Sequence, residues 1–361
     1  MPIATIMLHR FSLPLIQPYK LALGTVTVFD TVLCLIRDED GNEGFGEATI
    51  LTGYTPETID DSWRIARGMA ERIQGLEPGA AGPIIQAEHA TAPFTSSAMM
   101  TAVEMLDGHP LLDVSTTTNV PLLAIVNATE ENAIASEIDA RLAEGYATLK
   151  VKVGFDADKD MERVRFIQSH LQGRALIRLD GNQGYGVDDA LRFCAGLDPA
   201  GIELFEQPCH ADDWDAAVAV AGVATVPMML DESIYGPDDI DRAADLGAAS
   251  YIKLKLMKAG GLTALADGLK RIRDHGMTPV LGNGVASDVS CWMEACAARS
   301  LIDNAGEMNG FLKPRTTLFE APLAVEDGAV ALPAGTPHLK SADALSKLAV
   351  DSAHFGVQGK D

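Results

Sequence analysis

The sequence predicts an α/β protein built around a modified (β/α) barrel of the TIM type, with an α+β capping domain formed by the N-terminal segment and the C-terminal tail. Three observations lead to this prediction. Beyond about residue 121, short apolar strand-like segments alternate with amphipathic helix-like segments. The first of these strands is not followed by the G-x-G-x-x-G pattern of a doubly wound sheet. A length of 361 residues is also more than one ordinary domain needs.

The alternating part of the chain contains a series of strand-like segments. They lie at residues 122–126, 148–153, 176–181, 202–207, 228–233, 251–256 and 279–284, with a short one near Glu307. A strand, a helix and a strand at this spacing imply parallel strands joined by right-handed crossovers. About eight such units indicate a closed barrel rather than an open, doubly wound sheet.

We divide the chain into three segments on this basis. Residues 1–118 form the predicted capping domain, residues 119–322 the barrel, and residues 323–361 the tail. Within the capping domain, the stretch from 56 to about 74 has a helical pattern, with Thr55 as its predicted N-cap. In the tail, the strand-like stretches 323–325 and 329–332 flank a turn, which predicts a return to the N-terminal domain.

Charge and cysteine content restrict the expected partners and location. The formal net charge is -23, from 51 acidic and 28 basic side chains, so neither nucleic acid nor an anionic membrane is an expected partner. The five cysteines include no C-x-x-C pair, which indicates free thiols in a reducing cytoplasm. The first residues lack the pattern of a signal peptide, and no apolar run reaches membrane-spanning length. We therefore expect a cytoplasmic protein.

Polar side chains recur at the carboxyl ends of successive predicted strands, within otherwise apolar runs. In barrel order they are Lys150 and Lys152, Asp180 and Asn182, Glu206, Asp231 with Glu232, Lys253 and Lys255, Asn283, and Glu307. The carboxyl ends of all strands in such a barrel face one mouth, which is the usual position of the active site. The sequence therefore predicts that these side chains surround one pocket.

Three carboxylates on adjacent strands, those of Asp180, Glu206 and Asp231, would repel one another without a counter-ion. A hard cation that prefers oxygen ligands removes this repulsion, so we expect Mg²⁺, with Mn²⁺ able to replace it. No histidine lies at these strand ends, which argues against zinc. The alternative for each carboxylate taken alone is a helix cap or an ion pair with an arginine.

Two pairs of lysines flank this acidic group in barrel order. Lys150 and Lys152 are two residues apart on one strand, as are Lys253 and Lys255, so each pair projects to one face. A buried lysine close to another cation has a lowered pKa, and its neutral amine can act as a base near pH 7. The alternative is a solvated lysine on an edge strand, but a closed barrel has no edge strands.

These motifs, in this order, resemble the mandelate racemase/muconate lactonizing enzyme family of the enolase superfamily, and in particular its muconate lactonizing subgroup. The resemblance covers most of the chain and rests on residues 44–47, 150–152, 179–182, 205–208, 231–233 and 255–261. It implies that Asp180, Glu206 and Asp231 bind Mg²⁺. It also implies that Lys152 and Lys255 are bases on opposite faces of the substrate, with Lys150 as a neighbouring cation that favours a neutral amine.

The resemblance implies Mg²⁺-dependent removal of the proton alpha to a substrate carboxylate, through an enediolate intermediate. The expected outcome is racemisation, epimerisation or cycloisomerisation of a small carboxylate or amino-acid derivative by a homo-oligomer. Dipeptide epimerases of this family usually carry Asp-x-Asp on strand eight, whereas Glu307-Met308-Asn309 stands here, which argues against dipeptides. Lys253 stands where asparagine is frequent, and it either binds a second substrate carboxylate or tunes Lys255.

Substrate contacts are expected from the strand ends and from capping-domain loops above the barrel mouth. The strand-end candidates are Asn182, Lys253, Asn283 and Glu307. The loop candidates lie within residues 17–27 and 49–55, where a surface position without a role is the alternative, and they are Tyr19, Thr25 and Tyr54.

Three other activities fit parts of the pattern. A lyase on the same scaffold, such as a dehydratase of a hydroxy acid or hydroxy-amino acid, would expel a leaving group after proton removal. A class I aldolase would form a Schiff base on Lys152 or Lys255, which the three carboxylates argue against. A non-catalytic metabolite-binding barrel would bind its ligand without exchanging the ligand's α-proton with solvent.

Overall fold

The computed structural model describes residues 1–21 and 24–356. Ala22 and Leu23, which fall in the predicted loop 17–27, and residues 357–361 of the predicted tail lie outside the described residues. In the described part, no helix is both long and apolar enough to cross a membrane. All five cysteines are described, and each is buried and unpaired.

The N-terminal part is an antiparallel sheet covered by three helices. Its elements are β1 (Ile3–Leu21), β2 (Gly24–Asp38), β3 (Glu43–Ile50), α1 (Ile59–Ile73), α2 (Pro78–Gln86) and α3 (Pro93–Leu106). The predicted loop 17–27 is therefore mostly the end of a long hairpin. Alternate burial on β2 sends Val32, Cys34 and Ile36 toward the helices and Leu33 toward the barrel core, so the sheet is buried on both faces.

Two glycines on β3 set the distance between this sheet and α3. A Cβ at Gly44 would meet the carbonyl oxygen of Ala102 at 2.1 Å, and a Cβ at Gly46 would meet that of Ala98 at 2.1 Å. Any side chain at either position would push the helix away from the sheet.

A short strand, β4 (Thr118–Pro121), leads into the barrel, where strands and helices alternate. They are β5 (Ala124–Val126), α4 (Glu131–Ala143), β6 (Thr148–Lys152), α5 (Ala157–Leu171), β7 (Leu176–Asp180), α6 (Val187–Gly196), β8 (Ile202–Glu206), α7 (Trp214–Val223), β9 (Met228–Leu230), α8 (Pro237–Leu246), β10 (Tyr251–Leu254), α9 (Leu256–Ala259), α10 (Leu262–Asp274), β11 (Thr278–Leu281) and α11 (Asp288–Leu301). The seven strands β5 to β11 form a parallel sheet in sequence order. This arrangement, with the separate antiparallel sheet, confirms the predicted fold class.

An irregular segment fills the eighth barrel position, where the sequence predicted a short strand near Glu307. The N–H of Leu123, next to β5, donates to the carbonyl of Gly306 at 2.9 Å, and the N–H of Glu307 donates to the carbonyl of Leu281 on β11 at 2.9 Å. The segment therefore connects the two outer strands of the sheet. Gly282, with φ 132°, lies so close that a Cβ there would meet the Glu307 nitrogen at 2.5 Å, so this approach requires glycine.

The tail divides between the two parts of the molecule. Strands β12 (Ala324–Glu326) and β13 (Ala329–Leu332) form a hairpin paired with β4, whereas the later α12 (Ala342–Leu348) and β14 (Asp351–Phe355) lie at the capping sheet, with β14 paired to β1. The prediction that the hairpin itself returns to the N-terminal domain is therefore corrected. Val330 and Leu332 pack into the barrel core, which holds the hairpin beside β4. The domain boundaries after residues 118 and 322 stay our proposal.

Glu47 of β3 carries a buried carboxylate that joins the capping domain to the start of α11. Its Oε2 accepts hydrogen bonds from Ser287 Oγ at 2.7 Å and from the N–H of Ser290 at 3.2 Å. Burial raises the pKa of Glu47, although these hydrogen bonds oppose the shift. Glu47→Ala leaves the donors unsatisfied, so we expect the free energy of unfolding to fall by about 3 kcal/mol.

Urea unfolding measures this loss. Glu43→Ala on the same strand is the matched control, because its carboxylate is exposed, and it should cost less than about 0.5 kcal/mol. Equal losses in the two variants would show that the buried carboxylate does not join the two parts.

Candidate active site

The carboxyl ends of the barrel strands open into a cavity of about 700 Å³. Its floor and walls come from the residues at and after these strand ends, and one side is covered by the capping-domain residues Tyr19, Leu51, Gly53 and Tyr54. The position at the barrel mouth and the size suit a small-molecule site.

Three buried carboxylates lie side by side at this end of the barrel. Asp180 is the last residue of β7, Glu206 is the last residue of β8, and Asp231 directly follows β9. The strand register brings them together, because Asp180 pairs with Glu206 across β7 and β8, and Glu206 pairs with Met229 across β8 and β9. All three carboxylates are almost completely removed from solvent.

Lys150 is the central cation of this acidic group. Its Nζ lies 2.7 Å from Asp180 Oδ2, 2.8 Å from Glu206 Oε2 and 2.8 Å from Glu307 Oε2. Burial by itself would lower the pKa of Lys150, but the three carboxylates outweigh burial and hold the pKa well above its usual value. An ammonium group with a carboxylate for each of its three protons is suited to neutralising charge rather than to accepting a proton.

Lys152 ends β6 and points into the cavity, with 25% of its side chain exposed. Its Nζ lies 2.5 Å from Asp180 Oδ2 and also donates to Asn182 Oδ1. Asn182 has a left-handed backbone with φ 39°, a conformation that asparagine tolerates better than most residues. Its side-chain NH₂ donates to Glu232 Oε1 at 2.9 Å, so the amide that contacts Lys152 is itself held in place.

Lys255 follows β10, on the other side of the acidic group. Its Nζ lies 2.7 Å from Asp231 Oδ2 and 2.7 Å from the hydroxyl of Tyr54. Burial lowers the pKa of Lys255, but Asp231 and Glu232 raise it more, so the pKa lies above its usual value. The lowered pKa that the sequence predicted for this lysine is therefore wrong in this structure, because neighbouring carboxylates outweigh burial. In barrel order, Lys152 and Lys255 stand at the two ends of the row of three carboxylates.

Lys253 binds protein carboxylates at the floor of the cavity. Its Nζ donates to Glu307 Oε2 and lies 3.2 Å from Glu206 Oε1. Burial lowers the pKa of Lys253, but Glu206 and Glu307 raise it more. Glu307 therefore meets two ammonium groups, those of Lys150 and Lys253. These contacts favour a role for Lys253 in neutralising Glu307 over the predicted contact with a second substrate carboxylate.

The donor set at the cavity floor suits a hard divalent cation. Asp180, Glu206 and Asp231 offer only oxygen donors and carry three negative charges in a buried setting. Throughout residues 1–21 and 24–356, no three histidine, cysteine, aspartate or glutamate side chains converge on one ion-sized point. The ammonium groups of Lys150 and Lys253 lie between the carboxylates. A cation bound here would share these carboxylates with the two ammonium groups.

The remaining predicted substrate contacts have different surroundings. Tyr54, Asn283 and Glu307 are on the cavity wall. Asn283 uses its side-chain amide to hold the next turn, donating to the carbonyl of Val285 at 2.6 Å and accepting from its N–H at 2.9 Å. Thr25 lies on an exposed part of β2, next to the strand partner of Tyr19, and is not among the residues that line the cavity.

Lys258 is a buried lysine for which the sequence alone predicted no role. It lies on α9, close after Lys255, and its Nζ donates to the backbone carbonyl of Asp231 at 3.2 Å. Burial lowers the pKa of Lys258 to about 8; Asp231 opposes this shift and Lys255 adds to it. The available signal was a second lysine close after Lys255 in the segment 255–258.

Gln207 also received no role, although it orients the loop that carries Asp231. Its Oε1 accepts from the N–H of Asp231 at 3.1 Å and from the N–H of Ser233 at 3.3 Å, and its Nε2 donates to Ser233 Oγ at 2.9 Å. Its own backbone is left-handed, with φ 37°. In the sequence, Gln207 is marked only by its position next to Glu206, so its role could not be predicted.

Known proteins are similar to this chain in sequence and in fold. Residues 133–337 match the enolase C-terminal domain-like family. The chain is 30% identical over 334 residues to the aromatic dipeptide epimerase of Herpetosiphon aurantiacus, which covers 88% of this chain and 91% of that protein. It is 29% identical over 350 residues to muconate cycloisomerase 1 of Rhodococcus opacus, which covers 89% of this chain and 91% of that protein.

A solved structure gives the same result for the fold. The dipeptide epimerase of Cytophaga hutchinsonii matches with a TM-score of 0.87 at 22% sequence identity, over 98% of this chain and 100% of that chain. The family match and the relative of 30% identity confirm the family resemblance inferred from the strand-end motifs, and the two relatives named above are isomerases. The chain belongs to the enolase C-terminal domain-like family, among the mandelate racemases and muconate lactonizing enzymes, and is an isomerase.

Proposed function

We propose that this protein removes the proton alpha to the carboxylate of a small substrate in a Mg²⁺-dependent reaction, through an enediolate. The product is the racemised, epimerised or cycloisomerised substrate. The observation that carries the proposal is the placement of Lys152 and Lys255 at opposite ends of a row of three buried carboxylates, inside one cavity. Two amines on opposite faces of one carbon can remove a proton from one face and deliver a proton to the other.

Asp180, Glu206 and Asp231 are the residues that would hold the cation. When bound, Mg²⁺ or Mn²⁺ supplies positive charge that stabilises the negative charge left on the substrate carboxylate by proton removal. The solved epimerase of C. hutchinsonii is a complex with Mg and the dipeptide D-Ala-L-Val, which supports this assignment. Lys152 and Lys255 hold and move the proton at the substrate α-carbon, while Lys150 keeps the floor of the site neutral.

The surroundings of Glu307 favour a substrate without a free ammonium group at this end of the cavity. Lys150 and Lys253 both contact its carboxylate, so a substrate ammonium would meet two like charges instead of a free counter-ion. N-acylated amino acids and carboxylates without an amino group therefore fit better than dipeptides, although dipeptide epimerases are among the relatives.

Proton NMR in D₂O tests the proposed reaction. Wild-type protein is incubated with amino acids, N-acylated amino acids, proline derivatives and dipeptides, in parallel samples that contain Mg²⁺ or EDTA. With Mg²⁺ we expect the α-proton signal of one of these carboxylate classes to be replaced by deuterium, and in EDTA the exchange should be at least about 100-fold slower. Undiminished exchange in EDTA would contradict the metal requirement. Formation of an alkene or keto acid would identify a lyase instead.

A further inference from the structure

The hydroxyl of Tyr54 reaches from the capping domain to both lysines that follow β10. Lys255 Nζ donates to it at 2.7 Å and Lys258 Nζ donates to it at 3.3 Å, while the hydroxyl donates to Asp231 Oδ1 at 3.1 Å. A tyrosine hydroxyl has one donor and two acceptor positions. Protein groups therefore occupy all three positions, and the hydroxyl has none left for a substrate.

Lys258 holds Tyr54 and does not face the substrate. Its Nζ lies 4.4 Å from the ring centre of Tyr235 and 5.3 Å from that of Tyr54, so the ammonium is enclosed by two aromatic faces. It is buried and is not among the residues that line the cavity. Its contacts with the Tyr54 hydroxyl and the Asp231 carbonyl fix the tyrosine against the barrel.

Tyr235 ties the backbone of the same capping segment to the barrel. Its hydroxyl donates to the carbonyl oxygen of Tyr54 at 2.8 Å. Residues 49–55, which cover one side of the cavity, are therefore attached to the barrel through both the side chain and the backbone of Tyr54. Lys152, by contrast, is held by Asn182, which has no contact with this segment among its hydrogen bonds in the described residues.

We infer that Tyr54 and Lys258 are positioning residues for Lys255 and for the Asp231 carboxylate beside it, but not for Lys152, and that they align the Lys255 amine when residues 49–55 lie against the barrel. Attachment of the capping segment to the barrel thus completes the Lys255 face of the site, while the hydrogen bonds that hold Lys152 come from Asp180 and Asn182. This inference rests on the proposed function, in which Lys255 and Lys152 act on opposite faces of the substrate. A misplaced base loses about 10² in rate for a displacement near 1 Å.

The two substrate enantiomers report separately on the two faces. Initial rates of α-proton exchange in D₂O are measured for each pure enantiomer of the substrate found with wild-type protein, and Lys255→Ala identifies the enantiomer that depends on Lys255. Tyr54→Phe, which keeps the ring, and Lys258→Met should slow exchange of that enantiomer by about 10-fold to 100-fold. Exchange of the other enantiomer should slow several-fold less, because the contact with Asp231 is the part of this arrangement that serves both faces. Asn182→Ala is the control for the opposite face, because Asn182 contacts Lys152. It should slow mainly the exchange of the other enantiomer.

Equal slowing of both enantiomers by Tyr54→Phe, or no slowing of either, would overturn the inference while leaving the proposed function intact. A second measurement needs no substrate. In protein with ¹⁵N-labelled lysine side chains, Tyr54→Phe should shift the Nζ signal of Lys255, assigned with Lys255→Arg, and leave that of Lys152 in place. An unchanged Lys255 signal would overturn the inference even if no substrate were found, and a missing exchange reaction in wild type would refute only the proposed function.

Discussion

Lys152→Ala is expected to abolish inversion of the substrate and to slow α-proton exchange of one enantiomer by about 1,000-fold, while exchange of the other enantiomer continues. Lys255→Ala should also abolish inversion, but it should slow exchange of the other enantiomer and leave exchange of the first. The reason is that each amine serves one face of the carbon, and a single remaining amine can remove a proton and return deuterium on its own face. The double variant should lose exchange of both enantiomers.

Exchange is followed by proton NMR in D₂O, and inversion by polarimetry of the same samples. Lys159→Ala is a suitable control, because this lysine is exposed on α5 and is not among the residues that line the cavity. If Lys152→Ala kept both exchange reactions, Lys152 would not be a base. If each single variant lost both reactions, one lysine would be the base and the other would support it, which would favour cycloisomerisation over racemisation.

Lys150→Met is expected to lower the free energy of unfolding in metal-free buffer by about 3–5 kcal/mol. Methionine is similar in size, so the main change is the loss of the ammonium that contacts Asp180, Glu206 and Glu307. Those carboxylates would then stay buried with less positive charge around them. Saturating Mg²⁺ should stabilise the variant more than the wild type, because the cation restores positive charge at Asp180 and Glu206.

Urea unfolding with EDTA and with Mg²⁺ measures both effects. Lys159→Met is the matched control, since its side chain is exposed, and it should change stability by less than about 0.5 kcal/mol. An unfolding midpoint for Lys150→Met equal to that of wild type in EDTA would contradict the central role of Lys150. Equal stabilisation of both proteins by Mg²⁺ would contradict cation binding at these carboxylates.

The row of strand-end side chains could be predicted because a (β/α) unit repeats with nearly constant length. One acidic residue stands at the end of each of three successive strands, and these are Asp180, Glu206 and Asp231. The parallel register then places them side by side. The contacts of Lys258 could not be predicted in the same way. Helix α9 spans only Leu256–Ala259, which is too short for helical periodicity to be read, and the contact with Tyr54 joins residues 204 positions apart.

The predicted start of the first helix was wrong because two nearby threonines can each serve as an N-cap. The sequence predicted Thr55 as the N-cap of the first helix, but Thr58 caps α1 by accepting from the N–H of Asp61. The choice depends on Glu57, whose buried carboxylate accepts from the N–H of Phe94 at 2.8 Å at the start of α3. That tertiary contact holds residues 55–57 outside the helix, and nothing in the local sequence indicates it.

The pairing of β14 with β1 has a consequence for how the protein is made. Ile6 lies opposite Phe355, so the capping sheet obtains its fourth strand only after every barrel strand has left the ribosome. Pairings between such distant parts of a chain form slowly, because a long loop must close first. Until then the free edge of β1 is open to pairing with another chain. We therefore expect slow translation or loss of residues 351–355 to cause aggregation through β1, even where the barrel has folded.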